Sequence, residues 1–176
     1  MKGLTILLQS DQKLFHTQDL ALILGISNRH NLRVTISRYI KKGILKPIYR
    51  GLYSTIPFQK IDKYKLGSSF IHRFCYVSLQ SIFELHGVIN QVVYGVTYVS
   101  SVSKTVVFKD TQFIYKQMKQ EFLLNPEGII LENGIYKASL ERAVADMNYF
   151  NPKFYFDSPD LINWDRVAEI KKIVGY

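Results

Sequence analysis

The sequence predicts an α+β fold in two parts. We expect an N-terminal winged helix-turn-helix domain over residues 1–58, because two short helical patterns separated by a glycine are followed by a hairpin pattern. We expect a mixed α/β C-terminal domain with a small sheet over residues 59–176, because β-branched segments alternate there with helical ones. The charged residues are also distributed unequally between the two parts. Residues 1–66 hold 12 of the 23 Lys and Arg but 3 of the 14 acidic residues, whereas residues 67–176 hold 11 of each.

The composition is that of a folded protein in a reducing compartment. The 176 residues are 47% hydrophobic, which suffices for one ordinary domain or two small ones. Twelve Tyr and eleven Phe argue against disorder. The single cysteine, Cys75, cannot form an internal disulfide, so we expect a cytoplasmic location. No apolar run approaches the roughly 20 residues that span a bilayer.

The first helix of the basic segment is predicted to run from Thr17 to a stop at Gly25. Thr17 is a good N-cap, and Asp19 lies in the first turn, where the helix dipole favours an acid. Leu20 and Leu24 recur at helical spacing. Gly25 tolerates the left-handed conformation that ends many helices, so a tight turn is expected there.

A second helix is predicted over residues 27–42, with Ser27 as its N-cap and Gly43 as its stop. Apolar residues at helical spacing form its inward stripe, namely Leu32, Ile36, Tyr39 and Ile40. The opposite face is polar and basic, and carries His30, Asn31, Val34, Ser37, Arg38 and Lys41. Two helices joined by a short glycine turn, with the second one basic on its outer face, form a helix-turn-helix.

A β-hairpin is predicted over residues 44–54, because two short apolar stretches flank the turn residues 49–51. This hairpin corresponds to the wing of a winged helix. Lys46 and Arg50 are placed to reach phosphates or the minor groove, and Lys41 and Lys42 are expected near the DNA backbone.

The basic segment therefore predicts an interface for double-stranded DNA. Arg can bond guanine, Asn can bond adenine, and an apolar methyl group can touch thymine. Base reading is assigned to Asn31, Arg33, Val34 and Arg38, with Ser37 on the same face. The residues near the helix start are Asn28, Arg29 and His30. Phosphate contacts are assigned to Thr17, Lys41, Lys42, Lys46 and Arg50. A single winged helix contacts little DNA, so we expect two copies on an operator with inverted repeats.

The neutral part begins with a linker and a helix starting near Asp62. A second helix, capped by Ser78 and ended by Gly87, is expected to bury Leu79, Ile82, Phe83 and Leu85. Strands are expected at 92–102, 105–108 and 113–116, and a hairpin at 129–138 around the turn Asn133-Gly134.

Two further helices complete the predicted order. Ser139 is expected to cap a helix that continues through Asn148 and carries Arg142 and Asp146 at ion-pair spacing. Asn163 or Asp160 is expected to open a C-terminal helix through Val174, which buries Trp164, Val167, Ile170 and Ile173.

No motif predicts catalysis, so we expect that the protein is not an enzyme and binds no metal or cofactor. Asp110, Glu132 and Lys137 could suggest a nuclease, but the short acid-x-Lys spacing of that chemistry is missing. There is no glycine-rich phosphate loop, no paired-cysteine metal motif and no Gly-x-Ser-x-Gly. His16 and His30 have no Cys or His at metal spacing. An enzyme that uses the basic part as a nucleic-acid clamp stays an open alternative.

Three motifs together resemble the AbiEi-type antitoxins of abortive-infection, type IV toxin–antitoxin systems, and related transcriptional regulators. They are Arg50-Gly51-Leu52-Tyr53, the run from Tyr76-Val77-Ser78 to His86-Gly87-Val88, and the run from Ala138 to Asp146 that includes Glu141-Arg142. The resemblance extends from about Phe15 to the C-terminal helix.

The resemblance implies a repressor that binds repeats in the promoter of its own operon. It also implies a nucleotidyltransferase-like toxin encoded nearby and a C-terminal domain that is needed for antitoxin action. Two alternatives stay open. The protein could act as an antitoxin by binding an enzyme toxin, or as a stand-alone regulator without a toxin. The alternative of a stand-alone regulator is suggested by Ile82-Phe83, where members of the family often have a small Ala-Leu pair.

Overall fold

The computed structural model describes residues 2–176, which form two compact units, the first ending at Phe70 and the second spanning Ile71–Tyr176. The predicted α+β class is confirmed. The division lies after residue 70, whereas the sequence placed a boundary after residue 58. The residues between belong with the first unit because Phe70 is buried and its ring meets that of Tyr49 edge-on, with 5.3 Å between centroids.

The first unit is a winged helix, as predicted. Its elements are α1 (Lys2–Gln9), β1 (Leu14–His16), α2 (Thr17–Leu24), α3 (Arg29–Lys41), β2 (Lys46–Tyr49), β3 (Leu52–Ser54), a 3-10 helix (Phe58–Lys60) and α4 (Lys63–Ser68). The strands form an antiparallel sheet in the order β1-β3-β2. The sequence did not predict α1 or β1.

The core of the first unit joins all three N-terminal helices. Its buried side chains are Leu7, Phe15, Leu20, Leu32, Ile36 and Leu45. The predicted inward stripe of α3 is confirmed, since Leu32 and Ile36 are buried and Tyr39 and Ile40 pack against this core. The opposite face of α3 is thereby directed to solvent.

Helix α1 crosses α2 closely at Gly3. A Cβ atom at Gly3 would lie 2.6 Å from the carbonyl oxygen of Ile23 and 3.0 Å from Cα of Leu24. A larger residue would therefore push α1 away from the last turn of α2.

The second unit contains a six-stranded mixed sheet and four helices. Its elements are β4 (Cys75–Val77), α5 (Gln80–Leu85), β5 (Gly95–Ser100), β6 (Lys104–Phe108), β7 (Thr111–Gln117), α6 (Gln120–Leu123), β8 (Ile129–Glu132), β9 (Ile135–Ala138), α7 (Leu140–Phe150), a 3-10 helix (Pro159–Leu161) and α8 (Trp164–Val174). The strand order is β6-β7-β5-β4-β9-β8, with β5 parallel to β7 and β4 parallel to β9. The sequence did not predict β4 or α6.

Some predicted helix starts are confirmed and others are wrong. Asp62, Ser139 and Asn163 cap α4, α7 and α8 with their side chains, as expected. The N-caps predicted at Thr17, Ser27 and Ser78 are wrong. The residues that occupy the N-cap positions of α2, α3 and α5 are His16, Asn28 and Leu79. The burial predicted for Leu85, Trp164 and Ile173 is also wrong, since all three are exposed.

Candidate nucleic-acid interface

The outer face of α3 presents the side chains that the sequence assigned to DNA. Thr17 and Lys46 are half-buried. The other assigned residues are exposed, namely Asn28, Arg29, His30, Asn31, Arg33, Val34, Ser37, Arg38, Lys41, Lys42 and Arg50. The structure thus brings most of them together on one helix and its two ends, with Arg50 on the hairpin that follows.

Two open grooves run beside α3 and share one ridge. The first is lined by His30, Arg33, Val34, Ser37, Arg38 and Lys41. The second, of about 520 Å³, lies between α3, the start of α2 and β3, and is lined by Thr17, Arg29, Arg33, Ser37, Lys41, Tyr53 and the apolar side chains below them. Arg33, Ser37 and Lys41 line both grooves. At i, i+4 and i+8 spacing they form one row along the helix.

The positive charges of this surface are not neutralised within the protein. Among the residues that the structure describes, no carboxylate lies within ion-pair distance of Arg29, Arg33, Arg38, Lys41, Lys42 or Arg50. Two of the three acids in the first unit accept hydrogen bonds from backbone amides: Asp19 accepts from the amide of His16 at 2.7 Å, and Asp62 accepts from the amide of Tyr64 at 2.9 Å. The surface therefore presents its full charge to a polyanion.

The ends of α3 are fixed by local contacts. The Asn28 side chain accepts a hydrogen bond from the amide of Asn31 at 3.0 Å and so orders the helix start. At the other end, Lys46 donates to the carbonyl of Gly43 at 3.2 Å. The guanidinium of Arg38 lies over the ring of Tyr39, 5.8 Å from its centroid. These contacts restrain side chains that the sequence assigned to DNA.

The wing turn is bonded to the first residue of α2. The amide and the hydroxyl of Thr17 both donate to the carbonyl oxygen of Gly51, at 2.9 and 3.2 Å. Gly51 has φ of 70°, a left-handed conformation that glycine adopts readily. Both protons of Thr17 that could reach a phosphate are thus directed into the protein. Sequence reasoning missed this role, because nothing local links residues separated by 34 positions.

The acids and lysine considered for a nuclease do not form one site. Glu132 and Lys137 make an ion pair of 2.7 Å on the hairpin of β8 and β9. Asp110 lies in the turn between β6 and β7, at the opposite end of the sheet order. Within residues 2–176, no three His, Cys, Asp or Glu side chains are grouped so that they could hold a metal ion.

The second unit contains a fully buried ion pair, which the sequence predicted as a pair but not as buried. Arg142 Nε donates to Asp146 Oδ1 at 2.8 Å, and neither side chain is accessible to solvent. The remaining donors of Arg142 meet the hydroxyl of Tyr76 and the carbonyl oxygens of Phe122, Asn125 and Glu127. The hydroxyls of Tyr76, Ser78 and Tyr176 donate to Asp146. Every charge here is satisfied, so the network joins α7 to β4 and to the segment after β7.

Burial controls the titration of this region. It raises the pKa of Tyr76 and of Tyr176 above the usual value of 10.0, and the charge of Asp146 raises both further. Burial opposes the charged form of Arg142, but Asp146 outweighs it and the pKa of Arg142 is raised. Burial also raises the pKa of the Cys75 thiol to about 12. Cys75, Tyr76 and Arg142 are buried, so each is held by its packing and its hydrogen bonds inside the second unit.

A separate observation concerns membranes. None of the helices within residues 2–176 combines the length and the apolar character that crossing a bilayer requires.

Comparison with known families agrees with the geometry of the first unit. Residues 4–55 match the model of a family described as "Transcriptional regulator, AbiEi antitoxin". This segment runs from α1 to the end of β3 and contains α3 and the wing. No curated protein matches the chain. Over residues 4–55, the chain therefore matches the AbiEi antitoxin family of transcriptional regulators, and the predicted resemblance is confirmed for that segment.

Proposed function

We propose that the protein is a sequence-specific DNA-binding repressor that controls its own operon. The observation that carries the proposal is the outer face of α3, where exposed Arg, Lys and Asn side chains have no carboxylate partners. The family match over residues 4–55 supports it, because that family is described as transcriptional regulators.

In this proposal α3 lies in the major groove. Arg33 and Arg38 bond guanine, Asn31 bonds adenine, and the exposed Val34 touches a thymine methyl group. Arg29, His30 and Ser37 flank these contacts. Asn28 acts through its cap, which fixes the direction in which the helix start enters the groove.

Phosphate contacts fix the register of the helix on the duplex. Lys41, Lys42 and Lys46 cluster at the end of α3, and Arg50 extends from the wing turn. Thr17 contributes by holding that turn through Gly51. Each phosphate that these residues neutralise adds about 0.9 to the slope of log affinity against log salt.

Two copies on an inverted repeat fit this geometry. One recognition helix reads only a few base pairs, and two half-sites about one helical turn apart supply the rest of the specificity. Binding at such repeats in the promoter would block transcription of the operon.

A fluorescence anisotropy titration tests the proposal. The labelled duplex comes from the DNA upstream of the protein's own coding sequence, and the control duplex has the same base composition in shuffled order. We expect the upstream duplex to bind at least about 10³-fold more tightly at physiological salt. Equal affinity for all upstream and shuffled duplexes would contradict a sequence-specific repressor.

A second candidate function is that of an antitoxin acting on an enzyme toxin, and the description of the matched family favours it. We propose that the second unit, which carries no net charge, would then supply the contact. Co-purification with a nucleotidyltransferase-like protein encoded by a neighbouring gene tests this. If such a gene is absent, the protein is a stand-alone regulator. If the gene is present and no complex forms, antitoxin action by direct contact is excluded.

A further inference from the structure

Strand β8 is an open edge of the six-stranded sheet. It pairs only with β9, in regular antiparallel register from Ile129 to Glu132. Edge strands are usually protected against pairing by charges, proline or a bulge. Strand β8 contains no proline and no bulge, and two of its side chains are apolar and open to solvent: Ile130 is 58% exposed and Leu131 is 59% exposed.

The backbone of β8 also presents free hydrogen-bonding groups. The carbonyl of Gly128 accepts from the amide of Ser139, which continues the ladder between β8 and β9. Because hydrogen bonds alternate along an antiparallel pair, Ile130 and Glu132 bond to β9. The carbonyl of Ile129 and both backbone groups of Leu131 therefore point to the open edge. A further β-strand is the structure that satisfies such groups.

The surface beside this edge is apolar as well. A groove of about 660 Å³ contains Leu85, Ile130 and Leu161, each more than half exposed. Large apolar side chains grouped on a surface indicate a contact with another protein surface.

The charges favour a second copy of the same chain over a charged partner. The one charged residue of β8, Glu132, is already neutralised by Lys137 at 2.7 Å. The second unit carries 11 Lys and Arg and 11 Asp and Glu, so two copies of it approach without net repulsion. The groove beside the edge adds one further acid, Glu141, so a strongly charged partner would find little opposite charge there.

We propose that β8 pairs with β8 of a second copy in antiparallel register centred on Ile130. In this register the amide of Leu131 donates to the Ile129 carbonyl of the other copy, which gives two hydrogen bonds across the two-fold axis. The amide of Ile129 stays bonded to the carbonyl of Pro126 at 3.0 Å. Ile130 then faces its own counterpart at the axis. Glu132 lies opposite Gly128 and away from the other Glu132, so like charges do not meet.

The pairing is weak because the strand is short. A strand of four residues contributes little of the roughly 1,600 Å² that a standard interface buries, so the pairing belongs to the weak, transient class of interfaces. The pairing itself does not depend on the proposed function. If the protein binds inverted repeats, two copies on neighbouring half-sites would gain cooperativity from it.

Cysteine cross-linking of the full chain tests the register. In the proposed pairing, Ile130 occupies a non-hydrogen-bonded site, where Cα atoms lie about 4.5 Å apart and a disulfide can form. The matched control is Val107→Cys on β6, the opposite edge strand, because Val107 is 62% exposed. The native Cys75 is buried and does not compete.

We expect Ile130→Cys to form covalent dimers at least about tenfold faster than Val107→Cys, because pairing raises the effective thiol concentration. Adding Leu131→Lys to Ile130→Cys should return the rate to the control value, with thermal unfolding showing that the fold is kept. Equal rates for the two cysteine variants would overturn the proposal, and so would fast cross-linking that Leu131→Lys leaves unchanged. The experiment contains no DNA, so its failure is distinct from failure of the repressor proposal.

Discussion

Thr17 donates two hydrogen bonds to the same carbonyl oxygen of Gly51, one from its amide at 2.9 Å and one from its hydroxyl at 3.2 Å. The first residue of α2 therefore holds the turn of the wing. Helices α2 and α3 share one core, through Leu20 and Leu32. The contact thus fixes Arg50 relative to the proposed recognition helix.

Thr17→Val should loosen the wing without changing charge or shape. It removes the hydroxyl bond, worth about 0.5–1.5 kcal/mol, and keeps the amide bond. We expect faster amide hydrogen exchange in residues 49–52 and a several-fold loss of affinity for specific and shuffled duplexes alike. Thr55→Val, beyond the end of β3, is the control. Unchanged exchange in the wing would contradict the positioning role of Thr17.

Gly51→Ala should be more damaging than Gly43→Ala. Both glycines have φ of 70°, so both substitutions carry the same backbone strain of about 1 kcal/mol. Only at Gly51 would the added Cβ approach another group, namely Thr17 Oγ1 at 3.3 Å. Urea unfolding of both variants measures the difference, which reports on the Thr17 contact alone. Equal destabilisation would show that the Thr17 side chain moves away from the added Cβ without a cost in folding stability.

Replacing both Arg33 and Arg38 by Ala should remove the preference for the operator over shuffled DNA, since each base-specific arginine contributes about 1–3 kcal/mol of discrimination. Arg50→Ala is the matched control. It should weaken both duplexes equally and lower the salt slope by about 0.9. Anisotropy titrations at several salt concentrations separate the two effects. If Arg50→Ala weakened binding to the operator more than to shuffled DNA, the assignment of Arg50 to a phosphate contact would be wrong.

Arg142→Leu should destabilise the second unit strongly. It leaves Asp146 charged, buried and without its main partner, a change that costs about 3–5 kcal/mol. The control is Arg166→Leu, because Arg166 pairs with Glu127 and Glu169 near the surface and such pairs contribute about 1 kcal/mol or less. Urea unfolding monitored by Trp164 fluorescence gives both values. Similar losses would mean that the buried network relaxes or admits water.

The free energy of unfolding should fall as the pH rises from 9 towards 12. The pKa of Cys75 is about 12 in the fold and 9.0 in its absence, so the unfolded chain loses its proton first. Below pH 9.0 both states are protonated and the full stability is present. Tyr76 and Tyr176 act in the same direction above pH 10.0, where the unfolded phenols ionise. Cys75→Val should therefore remove the fall between pH 9 and 10 and keep the later one, as urea titrations at fixed pH would show.

Elements with local signals were predictable from the sequence. Helix α3 has an apolar stripe at helical spacing, and the hairpin of β8 and β9 has Asn133-Gly134 at its turn, where both residues have positive φ. The face of α3 assigned to DNA follows from the same periodicity. These features depend on residues close in sequence, which is why they could be located.

Elements that depend on distant partners were not predictable. Strands β1 and β4 have three residues each and exist because they pair with β3 and β5. Ser78 precedes a helix as a cap would, but its hydroxyl donates to Asp146, 68 residues away. Its chemistry suits both roles, and only the fold decides between them.

The charge on the first unit also affects the unit when nothing is bound. The exposed Arg and Lys side chains of α3 and the wing turn repel one another, because within residues 2–176 none of them has a carboxylate at ion-pair distance. Added salt screens that repulsion and so raises the folding stability of the free protein, but the same salt lowers its affinity for a polyanion. If the unit binds DNA as proposed, the phosphates also reduce this repulsion and stabilise the fold, so added salt acts in opposite directions on the stability of the free unit and on its affinity for DNA.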